Sequence, residues 1–257
     1  MPRHIRSELA EIARELKALA RWQQETGTDK IPADRLTTLV RQPPPDSWSE
    51  QPETPAAISS TEAPDGASAS ELLEQLRSET IGECQRCKLC DGRQNIVFGV
   101  GSPAARVMFV GEGPGADEDR LGEPFVGRAG QLLNRIISAM SLSREEVYIA
   151  NIVKCRPPRN RDPEPDEVEA CEPFLQTQIR IIRPEVIIAL GRVAAVTLLR
   201  DDRALRQLRG HWHSYEGIPL IATYHPAFLL RSPNMKRACW EDIQLAMERL
   251  GLERPVD

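Results

Sequence analysis

The sequence has no long apolar run and no positive total charge. Its charged start, Met1-Pro-Arg-His-Ile-Arg6, leads into no apolar stretch of leader or membrane-span length. A secretory signal, an anchoring helix and a membrane partner are therefore not expected, and the expected location is cytoplasmic. Six cysteines in such a reducing compartment serve as ligands or core residues more often than as disulfides. The net charge of −5 argues against a nucleic-acid partner until its distribution is considered. Residues 1–80 hold 9 Lys+Arg against 14 Asp+Glu, whereas residues 81–257 hold 24 of each. Binding a polyanion needs a local positive face, not a positive total. Two runs offer one: Lys154, Arg156, Arg159 and Arg161 in a loop opened by Pro157 and Pro158, and Arg200, Arg203, Arg206 and Arg209 at every third position.

Residues 42–69 are also poor in apolar side chains. They hold six prolines, and Ile58 is the one residue among Ile, Leu, Val and Phe. Such a stretch buries too little surface to offset its ordering entropy, so a disordered linker is expected there. Before it, Ile5, Leu9, Ile12, Leu16 and Leu19 alternate steps of four and three, which predicts an amphipathic helix over 5–22 within an N-terminal region 1–41. An apolar stripe this short suits docking on a partner protein or on the chain's own core. Helix is expected again from Ser70 to Glu79, opening a domain over 70–257.

From 106 onward, strands and helices alternate. Strands are expected at 106–111, 147–151, 185–190 and 218–223, and helices at 128–140, 166–182, 191–200 and 236–250. Val107-Met-Phe-Val110 and Val186-Ile-Ile-Ala-Leu190 are nearly continuous apolar runs, as in strands covered on both faces. The fold class predicted is a three-layer α/β/α domain around a mostly parallel, four-stranded sheet. In such sheets ligands gather at the carboxyl ends of the strands.

The informative residues stand at those ends. Val107-Met-Phe-Val-Gly-Glu-Gly-Pro-Gly115 carries an apolar run into a glycine-rich turn with one carboxylate, Glu112. No Walker lysine follows, the dinucleotide-binding glycine spacing is absent, and Asp117-Glu118-Asp119 would repel phosphate. An acid-rich loop suits a reaction that builds positive charge on a sugar. A second strand runs into Thr223-Tyr-His-Pro-Ala-Phe-Leu-Leu-Arg231, which carries His225. Cys84-x2-Cys87 is followed after 67 residues by Cys155-x15-Cys171. Four thiolates at this spacing suit either zinc or an iron–sulfur cluster. Cys90 makes an alternative pair with Cys87, and Cys239, beside Trp240, reads as a core residue.

Over about residues 81–250, these motifs together resemble the family 4 uracil-DNA glycosylases, iron–sulfur enzymes that remove uracil from DNA. The resemblance implies a 4Fe–4S cluster on Cys84, Cys87, Cys155 and Cys171, and does not require Cys90. It implies that Glu112 is the essential motif carboxylate, that Phe125 stacks on uracil and that Asn151 reads the edge of the base. It further implies that His225 hydrogen-bonds uracil O2. Glu118 and Asn160 match secondary catalytic and substrate positions. Gly113 stands where family 1 enzymes carry aspartate and the related crosslinking enzymes carry glutamine, which favours ordinary turnover. Arg231 is expected to bind a phosphate flanking the extruded base, and the apolar side chains of Ala227 to Leu230 are expected to fill the vacated space. DNA, single- or double-stranded, is the implied partner, and a monomer is expected. The rival reading is a non-catalytic iron–sulfur DNA-binding module of a replication or repair complex.

Overall fold

A computed structural model describes residues 67–253. The helix expected over 5–22 and the linker, apart from its last three residues, lie outside that range. Helix α1, Ala69–Gln75, opens one residue before the expected Ser70. The Ser68 hydroxyl accepts the Glu71 N–H at 3.3 Å, and the Glu71 carboxylate accepts the Ser68 N–H at 2.7 Å. This reciprocal cap satisfies two donors that a helix start otherwise leaves unpaired. The chain continues as a π-helical turn, Leu76–Ile81, and stops at Gly82, whose φ of +45° ends helical geometry.

Then follow β1 (Val100–Gly101), β2 (Val107–Gly111), α2 (Ala116–Leu121), α3 (Arg128–Ala139) and β3 (Tyr148–Asn151). Next come α4 (Pro165–Ile182), β4 (Val186–Leu190), α5 (Arg192–Leu199) and α6 (Leu205–Leu208). The chain closes with β5 (Trp212–Tyr215), β6 (Ile218–Thr223), α7 (Pro226–Arg231) and α8 (Lys236–Leu250). The sheet order is β1-β3-β2-β4-β6-β5. The inner four strands are mutually parallel, while β1 and β5 add to the two edges antiparallel.

The sheet therefore has six strands, not the four expected. β1 is only two residues long and shows no pattern to read. β5 is Trp-His-Ser-Tyr, half exposed, and returns through Glu216 and Gly217, both at positive φ. That turn conformation suits a tight hairpin.

Successive side chains of each strand face opposite layers. Met108, Val110, Ile187 and Ala189 pack on one side with Leu175 and Ile179 of α4 and Leu198 of α5. Val107, Phe109, Ile188 and Leu190 pack on the other with Leu133 and Ile137 of α3 and Ile243 and Met247 of α8. All eight strand residues are buried, and each large one contributes about 1.5–3 kcal/mol. Burial on both faces is what continuous apolar strands require, and it produces three layers. Because the inner strands are parallel, their carboxyl ends, Gly111, Asn151, Leu190 and Thr223, share one edge of the sheet.

Candidate active site

One cavity of about 530 Å³ lies at that edge. Its walls include all eight non-cysteine residues singled out from the sequence: Glu112, Gly113, Glu118, Phe125, Asn151, Asn160, His225 and Arg231. A larger groove, about 940 Å³, lies between α4 and α5 and contains none of them. The smaller cavity is the candidate site, because donors, acceptors and an aromatic face converge there.

Phe125 forms one wall. Its backbone sits at φ +53°, a strained region for a bulky residue. Neighbours hold it there. The Arg144 guanidinium donates to the Pro124 carbonyl, and Gly130 packs so closely that a Cβ would lie 1.8 Å from the Phe125 oxygen. The Phe125 and His225 rings stand 5.5 Å apart, centroid to centroid.

Gly111 explains how Asn151 reaches the same wall. A Cβ at Gly111 would lie 2.4 Å from Asn151 Oδ1 and 2.6 Å from Phe125 Cζ. Asn151 is buried, and its Oδ1 has no hydrogen-bond partner. An orphaned buried acceptor carries a desolvation cost of about 1–3 kcal/mol. Lined up beside a cavity, it calls for a donor from a ligand.

His225 follows β6 and caps α7, with its Nδ1 accepting the Ala227 N–H at 3.1 Å. Burial, followed by the nearby Arg231 charge, pushes the imidazole down to about 4. The ring is therefore neutral at ordinary pH. With Nδ1 occupied as an acceptor, the proton resides on Nε2, which is left to donate. Glu112 experiences the opposite effect. Burial, reinforced by the Asp162 charge, pushes its carboxyl up to about 7. It therefore changes charge near neutrality, as an acid or base for water chemistry must.

Glu118 has a different setting. Its Oε1 accepts the Val126 and Gly127 N–H groups at 3.0 Å each, and its Oε2 accepts the Gly115 N–H at 3.1 Å. These bonds tie the turn after β2 to the Phe125 loop. The carboxylate thus serves three main-chain donors while it also lines the cavity, a geometry that suits positioning of the two loops. Asn160 is exposed, at φ +54°, and its Oδ1 accepts from Arg156 Nε at 2.7 Å. Gly113 leaves room for Val153, whose Cγ2 would lie 2.7 Å from a Cβ.

Sequence reasoning missed Asp162 and Arg128. Both line the cavity, and Asp162 acts on Glu112 through charge. A carboxylate inside a basic loop gave no signal for this.

The two basic runs are also corrected. Lys154 is buried, and Arg161 makes a two-pronged pair with buried Glu167. Arg156 and Arg159 are what the first run leaves near the surface. In the second run, Arg200 pairs with Glu172, Arg203 with Asp201 and Arg209 with buried Asp242. Of that run, Arg209 is drawn into the fold, while Arg200 and Arg203 keep more than half of their side chains exposed.

Cys84, Cys87, Cys155 and Cys171 line one small cavity, together with Arg93, Lys154 and Phe174. Cys90 is not among its walls. All described cysteines are free of disulfides, and Cys239 is buried on the core-facing side of α8. Among the described residues, no three His, Cys, Asp or Glu side chains converge as ligands of a single metal ion. The donor set nonetheless suits a thiolate-held group. The Lys154 N–H donates to Cys171 Sγ at 3.2 Å, and Arg93 Nη1 reaches Cys155 Sγ at 3.6 Å. As thiols, Cys155 and Cys171 resist ionisation. Burial pushes Cys155 up to about 12 and raises Cys171. A bound metal supplies the positive charge that reverses this.

The family profile of the Uracil DNA glycosylase superfamily matches residues 98–244. The chain is 44% identical over 190 residues to the type-4 uracil-DNA glycosylase of Saccharolobus solfataricus, a match covering 70% of this chain and 88% of that protein. It is 44% identical over 182 residues to the type-4 enzyme of Thermotoga maritima, covering 68% and 94% respectively. To the type-5 uracil-DNA glycosylase of Thermus thermophilus it is 33% identical over 150 residues, covering 50% and 68%. No described helix is long and apolar enough to cross a membrane. The superfamily match spans β1 to the middle of α8 and so takes in both the cavity and two of the four clustered cysteines: the chain belongs to the uracil DNA glycosylase superfamily.

Proposed function

We propose that this chain is a monofunctional type-4 uracil-DNA glycosylase, which hydrolyses the bond between deoxyribose and uracil in DNA and leaves an abasic site. The observation that carries this reading is the orphaned Asn151 Oδ1, set beside Phe125 and across from the His225 donor. Uracil presents N3–H and O4 on the edge that a carboxamide reads, so Oδ1 accepts from N3–H while the amide nitrogen donates to O4. Cytosine presents the reverse polarity and leaves both groups unpaired. Phe125 stacks on the base, and His225 Nε2–H donates to O2.

As the C1′–N1 bond breaks, its electron pair goes to the uracil ring. The His225 bond strengthens as charge builds there, which favours the transition state over the bound substrate. C1′ gains oxocarbenium character and is captured by water. The ionised Glu112 stabilises the cation and takes a proton from that water. Uracil leaves as an anion and is protonated by solvent. The target base is unstacked to reach the cavity, which single strands and mismatches make cheaper. Arg231, Arg156 and Arg159 are positioned to hold phosphates on either side, and Phe228 at the rim to fill the gap.

Cys84, Cys87, Cys155 and Cys171 would hold a 4Fe–4S cluster. When bound, it cross-links the turn before β1 to the 152–171 segment and so fixes the loop that contacts DNA. A binding module without catalysis, the rival reading, has no use for an unpaired Asn151 acceptor beside a carboxyl group poised near neutrality.

The deciding experiment incubates the protein with a uracil-containing oligonucleotide, followed by alkali. Strand cleavage at uracil, and none at cytosine, is expected. The Asn151→Asp variant should gain cleavage at cytosine relative to uracil. Failure to cleave uracil by protein with a full complement of iron sinks the proposal.

A further inference from the structure

Lys154 is a buried ammonium to which no carboxylate pairs among the described residues. Its Nζ donates to the Asn151 carbonyl at 3.0 Å and to Gln178 Oε1 at 2.6 Å. Gln178 is held in turn, its Nε2 donating to the Phe98 carbonyl at 3.0 Å and the Tyr148 hydroxyl at 3.1 Å. At the other end of the same residue, the Lys154 main-chain N–H donates to Cys171 Sγ at 3.2 Å. One residue therefore grips both the end of β3 and a cluster sulfur.

Burying a cation is costly unless something requires it, and a methionine would fill the same space at less cost. A four-thiolate cluster carries net negative charge, which is the counter-charge this site lacks otherwise.

We propose that Lys154 is a positioning residue that sets the base-reading carboxamide of Asn151 against the cysteine site. The clamp works in two steps. Cys171 fixes the Lys154 backbone, and the ammonium then pulls in the Asn151 carbonyl, which fixes where the Asn151 side chain projects. Uracil selection is thereby tied to the integrity of the cysteine site, although no cysteine touches the base. This inference rests on the reading of Asn151 given above.

The test is a double-mutant cycle on iron-loaded protein, with Lys154→Met, Asn151→Ala and the pair. Four quantities are measured: iron and acid-labile sulfide per chain, single-turnover uracil excision, affinity for abasic-site DNA, and inhibition by free uracil. Lys154→Met keeps the main-chain bond to Cys171, so iron content should match the parent. Excision should fall about ten- to a hundredfold, as for supporting contacts of a site, and free uracil should inhibit about tenfold more weakly. DNA affinity should stay within about twofold, because the phosphate contacts are untouched. In the Asn151→Ala background, Lys154→Met should cost nothing further, since the group it positions is gone.

A multiplicative loss in both backgrounds would mean a general structural role and overturn the proposal, as would a parental rate and uracil affinity in Lys154→Met. If Lys154→Met does not fold, Gln178→Leu removes the second grip on the ammonium. It should show the same pattern at smaller size, and a fully additive loss there overturns the proposal equally. Should Asn151→Ala itself excise uracil normally, the reading of Asn151 is wrong and this inference falls with it. Impaired Asn151→Ala beside parental Lys154→Met refutes only the inference.

Discussion

At the residue scale, burial acts in opposite directions on an acid and a base. Glu112 is held up to about 7 and His225 down to about 4, so both are neutral just below neutrality. Raising the pH through about 7 ionises Glu112 and leaves His225 unchanged. Single-turnover excision should therefore rise through an inflection near pH 7. Glu112→Gln should abolish that inflection and lower the plateau about a hundredfold, the scale of lost acid–base help. A profile whose inflection survives in Glu112→Gln would place the titrating group elsewhere. His225→Ala removes a donor to the departing base. It should cost about a hundredfold in rate with DNA affinity nearly unchanged, and a loss of only about twofold, below the effect of one donor, would refute the assignment.

At the scale of elements, the site is assembled by contacts between loops from different strands. Glu118 is the tie between the turn after β2 and the Phe125 loop. Glu118→Ala leaves three main-chain donors without their acceptor. It should cost about 1–3 kcal/mol in a denaturation experiment and reduce excision. A positioning role leaves the inflection near pH 7 in place in the slower enzyme. Loss of the inflection would return Glu118 to the chemistry. Gly111→Ala tests the junction of β2 and β3. A methyl group 2.4 Å from Asn151 Oδ1 must displace either that amide or Phe125. Excision should collapse while far-ultraviolet circular dichroism stays unchanged. Parental activity would show that the amide and ring need not sit as described.

For the whole molecule, the cysteine cavity brings the turn before β1 together with the segment after β3 and with α4. Cys155→Ser and Cys171→Ser should lose iron and unfold at lower temperature, whereas Cys90→Ser should retain both iron and melting temperature, since Cys90 lies outside the cysteine cavity. Iron loss from Cys90→Ser would redraw the ligand set. We also propose that the catalytic domain begins at the Ser68 cap, because every described residue lining the two cavities follows it in the chain. Protein beginning near residue 67 should excise uracil at the parental single-turnover rate. A large loss with iron intact would move the boundary toward the N-terminus.

The inner sheet was legible in the sequence because strands buried on both faces need unbroken apolar runs, and Val107–Val110 and Val186–Leu190 supply them. That Glu112 and His225 meet was legible because parallel strands deliver their carboxyl ends to one edge, whereas Asn151, which lines the same cavity, was singled out by the family resemblance. The edge strands were not legible, since two residues of β1 and the mixed pattern of β5 carry no period. Charge misled for a related reason. Whether an arginine faces DNA or a carboxylate depends on what folds against it, and Arg209 finds Asp242 from α8, far along the chain. Residue types and their order thus determined the layers and the chemistry available. Only packing between distant segments decided which charges remain free, where Glu112 and His225 titrate, and that the Asn151 oxygen is left without a partner.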